Sequence, residues 1–443
     1  MDRLNLYILT FNCARNVILT DRFASHLFDV LPQSVSTPEL LLLSLQEIAP
    51  IAHAFLGGSF LDPYFDAFRS AVDLAVAKRW PNDDVKYVNI VTKNCGLTGM
   101  MVFVRSDRAG KVSWVETAEV GVGVQEMGNK GAVGVRLGYR QADHQGDTVD
   151  LTFVAAHLAP MEDAVDRRNQ DWRGIVERLV FSKEGGKDGV DEIDEQDEAA
   201  ALLQDSRGRQ SGIFTPTSHL FFAGDLNYRT SDLGPTVDDL ARFPQPTADS
   251  NRPTHHSQLL KYDQLTREIQ AQRTLHGLSE VPITFAPTYK YSVQARLAAA
   301  EGTQDDELKE WKWATNRWPS WCDRILYLDL PPWMKDGDQI QPHGYDALPL
   351  FPTSDHRAVA LAVSVPLKPL SPPATANPSD DIRLSPPFAI DREWRSKRAV
   401  ARTKELLVGG LAYLGLTREG NGLLLAMTVG VTGGWFVLRS MFR

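Results

Sequence analysis

The chain runs to 443 residues and carries 47 Lys and Arg against 56 Asp and Glu, a formal net charge of −9. That acidic balance excludes a duplex-binding protein whose affinity rests on surplus cations meeting phosphates, and a composition 43% hydrophobic and 9% aromatic excludes wholesale disorder. Three cysteines, Cys13, Cys95 and Cys322, with no Cys-x-x-Cys pair and no histidines at zinc spacing, exclude a disulfide scaffold.

In chain order, Leu4–Phe11 comes first. Its apolar residues are interleaved with Asn5 and Thr10 and no small-residue cleavage site follows, so it reads as a strand and not a secretory leader. The bulk of the chain is therefore expected in a reducing cytosol. Further β-branched and aromatic runs at Leu40–Leu45, Val85–Val91, Met100–Arg105, Val112–Val120, Ala132–Leu137, Val149–Ala156, His219–Ala223, Ile325–Leu328 and Ala358–Val365 also read as strands. Helical periodicity marks Tyr64–Arg79, Met161–Phe181, Ser257–Leu275 and Ala295–Trp311. Few helices separate the middle strands, which argues against one parallel βαβ sheet. The expected class is α/β (α+β), with two packed, mostly antiparallel sheets flanked by helices.

Residues 183–213 are acidic and polar and read as a solvated insertion. From 366 to 390 the composition turns to Pro, Ser and Asp, a linker that ends a globular part spanning 1–365. In 391–443, Arg392, Arg395, Lys397, Arg398, Arg402 and Lys404 precede two apolar runs, Leu406–Leu416 and Leu423–Leu438. The second run is free of charge and spans about 24 Å as a helix, short of a hydrocarbon core of about 30 Å by a gap that flanking residues and local thinning close. Because the linker isolates it and a cationic stretch precedes it, the segment reads as a C-terminal membrane anchor. Gly430, Gly433 and Gly434 keep a second reading open, a buried or interfacial hairpin of the two runs.

Polar residues able to meet metal or phosphate stand where these strands end. Asn12 follows the first strand and Gln46-Glu47 the second; a carboxylate just past a buried strand is placed to hold a hard cation, although such a residue also serves as a plain solvated or capping group. Gly128-Asn129-Lys130-Gly131 offers donors to phosphate oxygens through Asn129 and Lys130, or makes a hairpin turn. His157 ends one strand and Gly224-Asp225-Leu226-Asn227-Tyr228-Arg229 follows another. Alternation places Asp225 and Asn227 on one face, where Asp orients water and Asn holds a phosphoryl oxygen; a structural Asp-Asn turn is the alternative. Trp321-Cys322-Asp323-Arg324 and Ser354-Asp355-His356-Arg357 supply Asp323 and an Asp-His pair, and a carboxylate accepting from imidazole favours imidazolium.

Taken in order, these strings, together with Pro287-Thr288-Tyr289-Lys290-Tyr291, resemble the inositol polyphosphate 5-phosphatases, within the metal-dependent phosphodiesterase superfamily of deoxyribonuclease I and exonuclease III. The C-terminal segment adds a likeness to tail-anchored fungal members of that family. The resemblance implies a four-layer αββα sandwich with its site at one end of the paired sheets. It implies Mg²⁺ held by Glu47 with Asn12, water directed by Asp225 and positioned by Asn227 and Asn12, and phosphoryl oxygens met by His157. It further implies His356 against the phosphate, oriented by Asp323, with Asp355 completing the site. Tyr289, Lys290 and Arg317 match positions that meet a neighbouring 4-phosphate, and Asn129 and Lys130 face phosphate groups too.

The expectation is a Mg²⁺-dependent phosphatase converting phosphatidylinositol 4,5-bisphosphate to the 4-phosphate, with no covalent phospho-enzyme. It is expected to act as a monomeric catalytic unit without nucleic acid, on the cytoplasmic face of an internal membrane, foremost the endoplasmic reticulum, with the outer mitochondrial membrane as the alternative. Two rivals differ in class: a phosphodiesterase of the superfamily, nuclease or sphingomyelinase, and a non-catalytic phosphoinositide-binding tether.

Overall fold

The computed structural model describes residues 3–141, 148–183, 211–301, 310–334 and 338–442; of the expected insertion at 183–213, residues 184–210 lie outside the described part. Two sheets stack face to face. One has six strands: β1 (Arg3–Asn12), β2 (Leu40–Gln46), β3 (Tyr87–Cys95), β4 (Thr98–Arg105), β12 (Gln341–Ala347) and β13 (Val359–Pro366), ordered β12-β13-β1-β2-β4-β3. The other has seven: β5 (Val112–Gly121), β6 (Gly131–Arg140), β7 (Thr148–His157), β8 (Ser182–Lys183), β9 (Ser218–Asp225), β10 (Leu278–Glu280) and β11 (Asp323–Leu328), ordered β10-β11-β9-β7-β6-β5-β8. Each sheet is antiparallel except for one pair, β1 with β2 and β7 with β9.

Alternation divides every central strand between two cores. Leu4, Leu6, Ile8, Leu40 and Leu42 meet Val133, Val135, Leu151, Phe153 and Phe221 between the sheets. The intervening Tyr7, Leu9, Phe11, Leu41 and Leu43 pack with Phe23 of α1 (Thr20–His26) and Phe65 and Phe68 of α3 (Asp62–Arg79). On the far side, Val154, Ala156, Leu220 and Phe222 pack with Trp172 and Ile175 of α4 (Val165–Arg178). Helix, sheet, sheet, helix is the expected four-layer order. Burial on both faces explains why the strands read as nearly continuous apolar runs.

The differences are local. The helical stretch expected over Ser257–Leu275 is two short helices, α5 (His256–Leu260) and α6 (Gln264–Gln270), because Asp263 between them accepts from the Thr266 N–H and caps the second. Of the helix expected from Ala295 to Trp311, the part up to Glu301 is in α7 (Val293–Glu301), and residues 302–309 lie outside the described residues. β12 escaped the sequence reading because Gln-Pro-His-Gly-Tyr-Asp-Ala has no apolar run; it is an edge strand with a bulge at Pro342/Gly344, where Pro is tolerated.

The C-terminal region is less detached than its composition suggests. Arg383, in the Pro-rich stretch, is buried, pairs with Asp381 and donates to the Ser218 carbonyl. Beyond it, α8 (Trp394–Leu416) lies against α2 (Ile51–Leu56), so the first apolar run is not isolated and two of the basic residues read as facing headgroups, Arg398 and Arg402, are paired within the protein. Only α9 (Arg418–Met441) stands clear: none of its apolar window is buried, and its 24 residues make it long and apolar enough to span a membrane.

Phe153 stacks on Phe221 at 5.7 Å in the inter-sheet core. Phe153→Ala is expected to destabilise the chain by about 3–5 kcal/mol, read as an earlier urea transition.

Candidate active site

The two parallel pairs matter because parallel neighbours end at the same edge. Asn12 stands opposite Gln46 in one sheet, and in the other Asp225 stands in register between His157 and Asp323. Along the inner faces the residues turn polar toward this edge: Leu4, Leu6, Ile8, Thr10, Asn12 on β1; Leu40, Leu42, Ser44, Gln46 on β2; Leu151, Phe153, Ala155, His157 on β7; Phe221, Ala223, Asp225 on β9. The core between the sheets thus turns polar at one end.

Asp225 is at its centre, buried, with both oxygens occupied. Oδ2 accepts from Asn12 Nδ2 at 2.9 Å and lies 3.2 Å from His157 Nε2; Oδ1 accepts from the Asn227 N–H at 3.1 Å. Burial pushes this carboxyl up, but the His157 contact and the charges of His157, His356 and Lys130 outweigh it, holding Asp225 far below the usual carboxylate range. Lys130 Nζ lies against the His157 ring and 3.9 Å from Glu47 Oε1. Burial lowers both Lys130 and His157, and the neighbouring ammonium lowers His157 further. Glu47 is also paired with Arg15 at 2.9 Å; its burial is outweighed by the cations around it, so it stays ionised.

A second pair adjoins the first. His356 Nδ1 is 2.9 Å from Asp323 Oδ2, which also accepts from Thr288 Oγ1 at 2.7 Å. Burial pushes the Asp323 carboxyl up and His356 opposes it. The shared proton rests on the imidazole, which, despite its own desolvation, the Asp323 carboxylate pushes up to about 9. The Tyr289 ring packs on His356 at 4.4 Å, and Lys290 Nζ donates to Asp355 Oδ2 at 2.7 Å.

Asn12, Glu47, Lys130, His157, Asp225, Asn227, Asp323, Asp355, His356, Tyr289 and Lys290 are therefore linked through these contacts. Asn129 and Arg317 lie differently. Asn129 Oδ1 accepts from the Val124 N–H and braces its own loop, while Arg317 sits by Glu162 and Met161. Asn227 corrects the alternation argument: its φ of 56° takes it out of the strand, and its Nδ2 donates to the Leu158 carbonyl. The glycines of the Lys130 loop serve packing, since Gly128 is wedged against Cys95 and Gly96.

Thr288, Ser354 and Arg229 were not singled out individually, although each lies in a quoted string. Ser354 Oγ donates to the Asn12 carbonyl at 2.6 Å, and Arg229 is buried over the Tyr289 ring, bonded to Asn227. Their bland residue types carried no separate signal.

The donor set suits a hard divalent cation. Glu47, Asn12 Oδ1 and Asp225 offer hard oxygens, and Asp323 Oδ1 is buried without a partner. Asp225, Asp323 and His356 also bring ligand atoms within 4.8 Å of one another. An imidazolium is no ligand, however, and their spacing expresses the His356–Asp323 pair.

A sequence model described as Endonuclease/Exonuclease/phosphatase family 2 matches residues 9–362, and the chain belongs to that family. Within it, the chain is similar to Type II inositol 1,4,5-trisphosphate 5-phosphatase of Mus musculus, 28% identical over 334 residues that cover 74% of this chain and 27% of that protein. It is also similar to Polyphosphatidylinositol phosphatase INP53 of Saccharomyces cerevisiae, 27% identical with 73% and 23% covered. The chain spans about a quarter of the length of the curated relatives it matches. The inositol polyphosphate 5-phosphatase domain of SPsynaptojanin, solved with inositol (1,4)-bisphosphate and calcium ion, shares the fold with a TM-score of 0.56 and 23% identity, covering 82% of this chain and 84% of that one.

The His356–Asp323 pair predicts a pH dependence. Because the folded value lies above the ordinary 6.5, its stabilisation is whole below that pH and is lost as pH climbs through about 9. In Asp323→Asn the His356 ring, followed by NMR, is expected to titrate at a lower pH than in the parent chain.

Proposed function

We propose that the chain hydrolyses the 5-phosphate of phosphatidylinositol 4,5-bisphosphate to give phosphatidylinositol 4-phosphate, by water attack and with Mg²⁺. The observation that carries this reading is the ionised Asp225, fastened by Asn12, His157 and the Asn227 amide at the joint of two sheets, with Lys130 and an imidazolium at His356 nearby. The names of the similar proteins, and the calcium and inositol bisphosphate of the SPsynaptojanin domain, support it.

Hydrolysis of a phosphate monoester needs an in-line water and neutralisation of charge spread over the phosphoryl oxygens. Asp225 accepts a hydrogen bond from the attacking water and aims it, held by the residues that occupy its oxygens. His157, Lys130 and the His356 imidazolium face the phosphoryl oxygens, with Asp323 fixing the orientation of the His356 ring. Glu47 and Asn12 would hold the Mg²⁺, which lowers the pKa of bound water and offsets phosphoryl charge. Asp355 completes the site and orients Lys290 toward the 4-phosphate, beside Tyr289. The catalytic unit is a monomer in this reading, and the net charge of −9 argues against nucleic acid as the substrate.

In this reading residues 1–365 carry the chemistry, 366–390 lead away from it, and 391–443 direct it to a membrane through α9. Tethering raises the local concentration of a lipid headgroup without new contacts. The location is the cytoplasmic face of an internal membrane, foremost the endoplasmic reticulum.

Asp225→Asn is expected to lower phosphate release at least about 100-fold, and chelation to abolish release until Mg²⁺ is restored; sphingomyelin and DNA should stay intact. Turnover unaffected by both treatments would exclude the mechanism, and metal-dependent turnover would exclude an inert tether. Deleting 418–443 is expected to leave hydrolysis of soluble inositol phosphates in place and to abolish co-flotation with phospholipid vesicles.

A further inference from the structure

Away from the cluster, a buried carboxylate joins the C-terminal region to the loop that delivers Lys130. Glu405 of α8 is fully buried. Its Oε1 accepts from the Gly128 N–H at 2.8 Å and from Arg398 Nη1 at 2.7 Å; its Oε2 accepts from Arg398 Nη2 at 3.2 Å and Arg402 Nη1 at 3.3 Å. Arg398 reaches on to Glu119 of β5 at 2.8 Å. Arg402 donates to the carbonyls of Phe55 at 2.6 Å and Leu56 at 3.1 Å, at the end of the helix that follows Glu47.

Both backbone groups of Gly128 are thereby occupied, since its carbonyl accepts from the Leu97 N–H at 2.9 Å. A Cβ on Gly96 would stand 2.2 Å from that carbonyl oxygen, so the loop is gripped between the β3–β4 turn and α8. Two residues on, Lys130 enters the site. The other end of α8 turns at Thr417, whose Oγ1 accepts from the Gly420 N–H at 3.0 Å, directly into α9.

An ion pair at a helix–domain contact could serve docking alone. This one, besides meeting Arg398 and Arg402, also accepts from a backbone N–H of the active-site loop, a contact that adhesion alone does not require. We propose that Glu405 is a positioning residue: through Gly128 it sets where Lys130 stands against His157 and Glu47, so that α8 is part of the site and ties it rigidly to the membrane-directed helix. The inference rests on the phosphatase reading above.

The test uses the full chain in detergent micelles, with inositol 1,4,5-trisphosphate and Mg²⁺. Glu405→Ala is expected to lower kcat/KM about 10- to 100-fold, the scale of a displaced site residue. The same substitution made in a Lys130→Met chain should add nothing, because both act through one group. Gly409→Val is the second variant: a Cβ there already stands 2.9 Å from the Phe55 Cβ, so it lifts α8 from α2 with Glu405 intact, and it should repeat the loss should Glu405→Ala not fold. Losses that multiply with that of Lys130→Met, or an unchanged kcat/KM, overturn the proposal. If the parent chain releases no phosphate, the phosphatase reading fails separately. Amide hydrogen exchange across 122–130 then decides the grip: faster exchange in Glu405→Ala supports it, and unchanged exchange overturns it.

Discussion

Everything in this molecule is arranged around one buried carboxylate shared by two sheets. Asp225 belongs to the seven-stranded sheet, and the Asn12 amide that donates to it belongs to the six-stranded one. Desolvating a carboxylate is expensive unless donors and cations surround it. Here the donors are Asn12, His157 and the Asn227 amide, and the cations are Lys130 and His356. The contact therefore does two jobs. It holds an ionised acceptor away from bulk water, and it ties the relative placement of the sheets at the end where chemistry is proposed; Ser44 Oγ, donating to the Ala223 carbonyl at 2.9 Å, repeats the tie one step inward.

The polar cluster needs no element of its own. It is the continuation of the inter-sheet core past the last apolar residues of β1, β2, β7 and β9, and the parallel pairing in each sheet brings those strand ends to one edge. Rigid strands hold the functional groups better than loops do. Two groups beyond the strand ends are aimed by left-handed backbone, Glu47 at φ 47° and Asn227 at φ 56°, conformations uncommon outside glycine that recur at functional positions.

Charge within the site is close to balanced although the whole chain is acidic. Glu47, Asp225, Asp323 and Asp355 face Lys130, Lys290, Arg229 and the His356 imidazolium. A site so composed can admit a phosphate together with a divalent cation without large rearrangement of its own charges. The C-terminal region belongs to the same economy: α8 brings in Arg398 and Arg402, which pair with its own Glu405 and with Glu119 of β5, so its basic run serves the protein interior as much as any surface.

What could be read along the chain was what local pattern encodes. Strands buried on both faces betray themselves as apolar runs, so the central strands and the two-sheet class with flanking helices were legible; the four-layer order came with the strings that resemble a known family, which with the polar residues at the strand ends also picked out most of the side chains that cluster at the candidate site. β12, which has no apolar run, and the Asp263 break between α5 and α6 were not legible, because an edge position and a side-chain cap override periodicity. Nor could a Pro-rich composition reveal that Arg383 is buried or that α8 is docked. Which side chains become partners was decided only by tertiary structure. Asn12 and Asp225 lie 213 residues apart, and Gly128 and Glu405 lie 277 apart. Such pairs exist because sheet order and helix packing bring them together, and no local propensity carries that information.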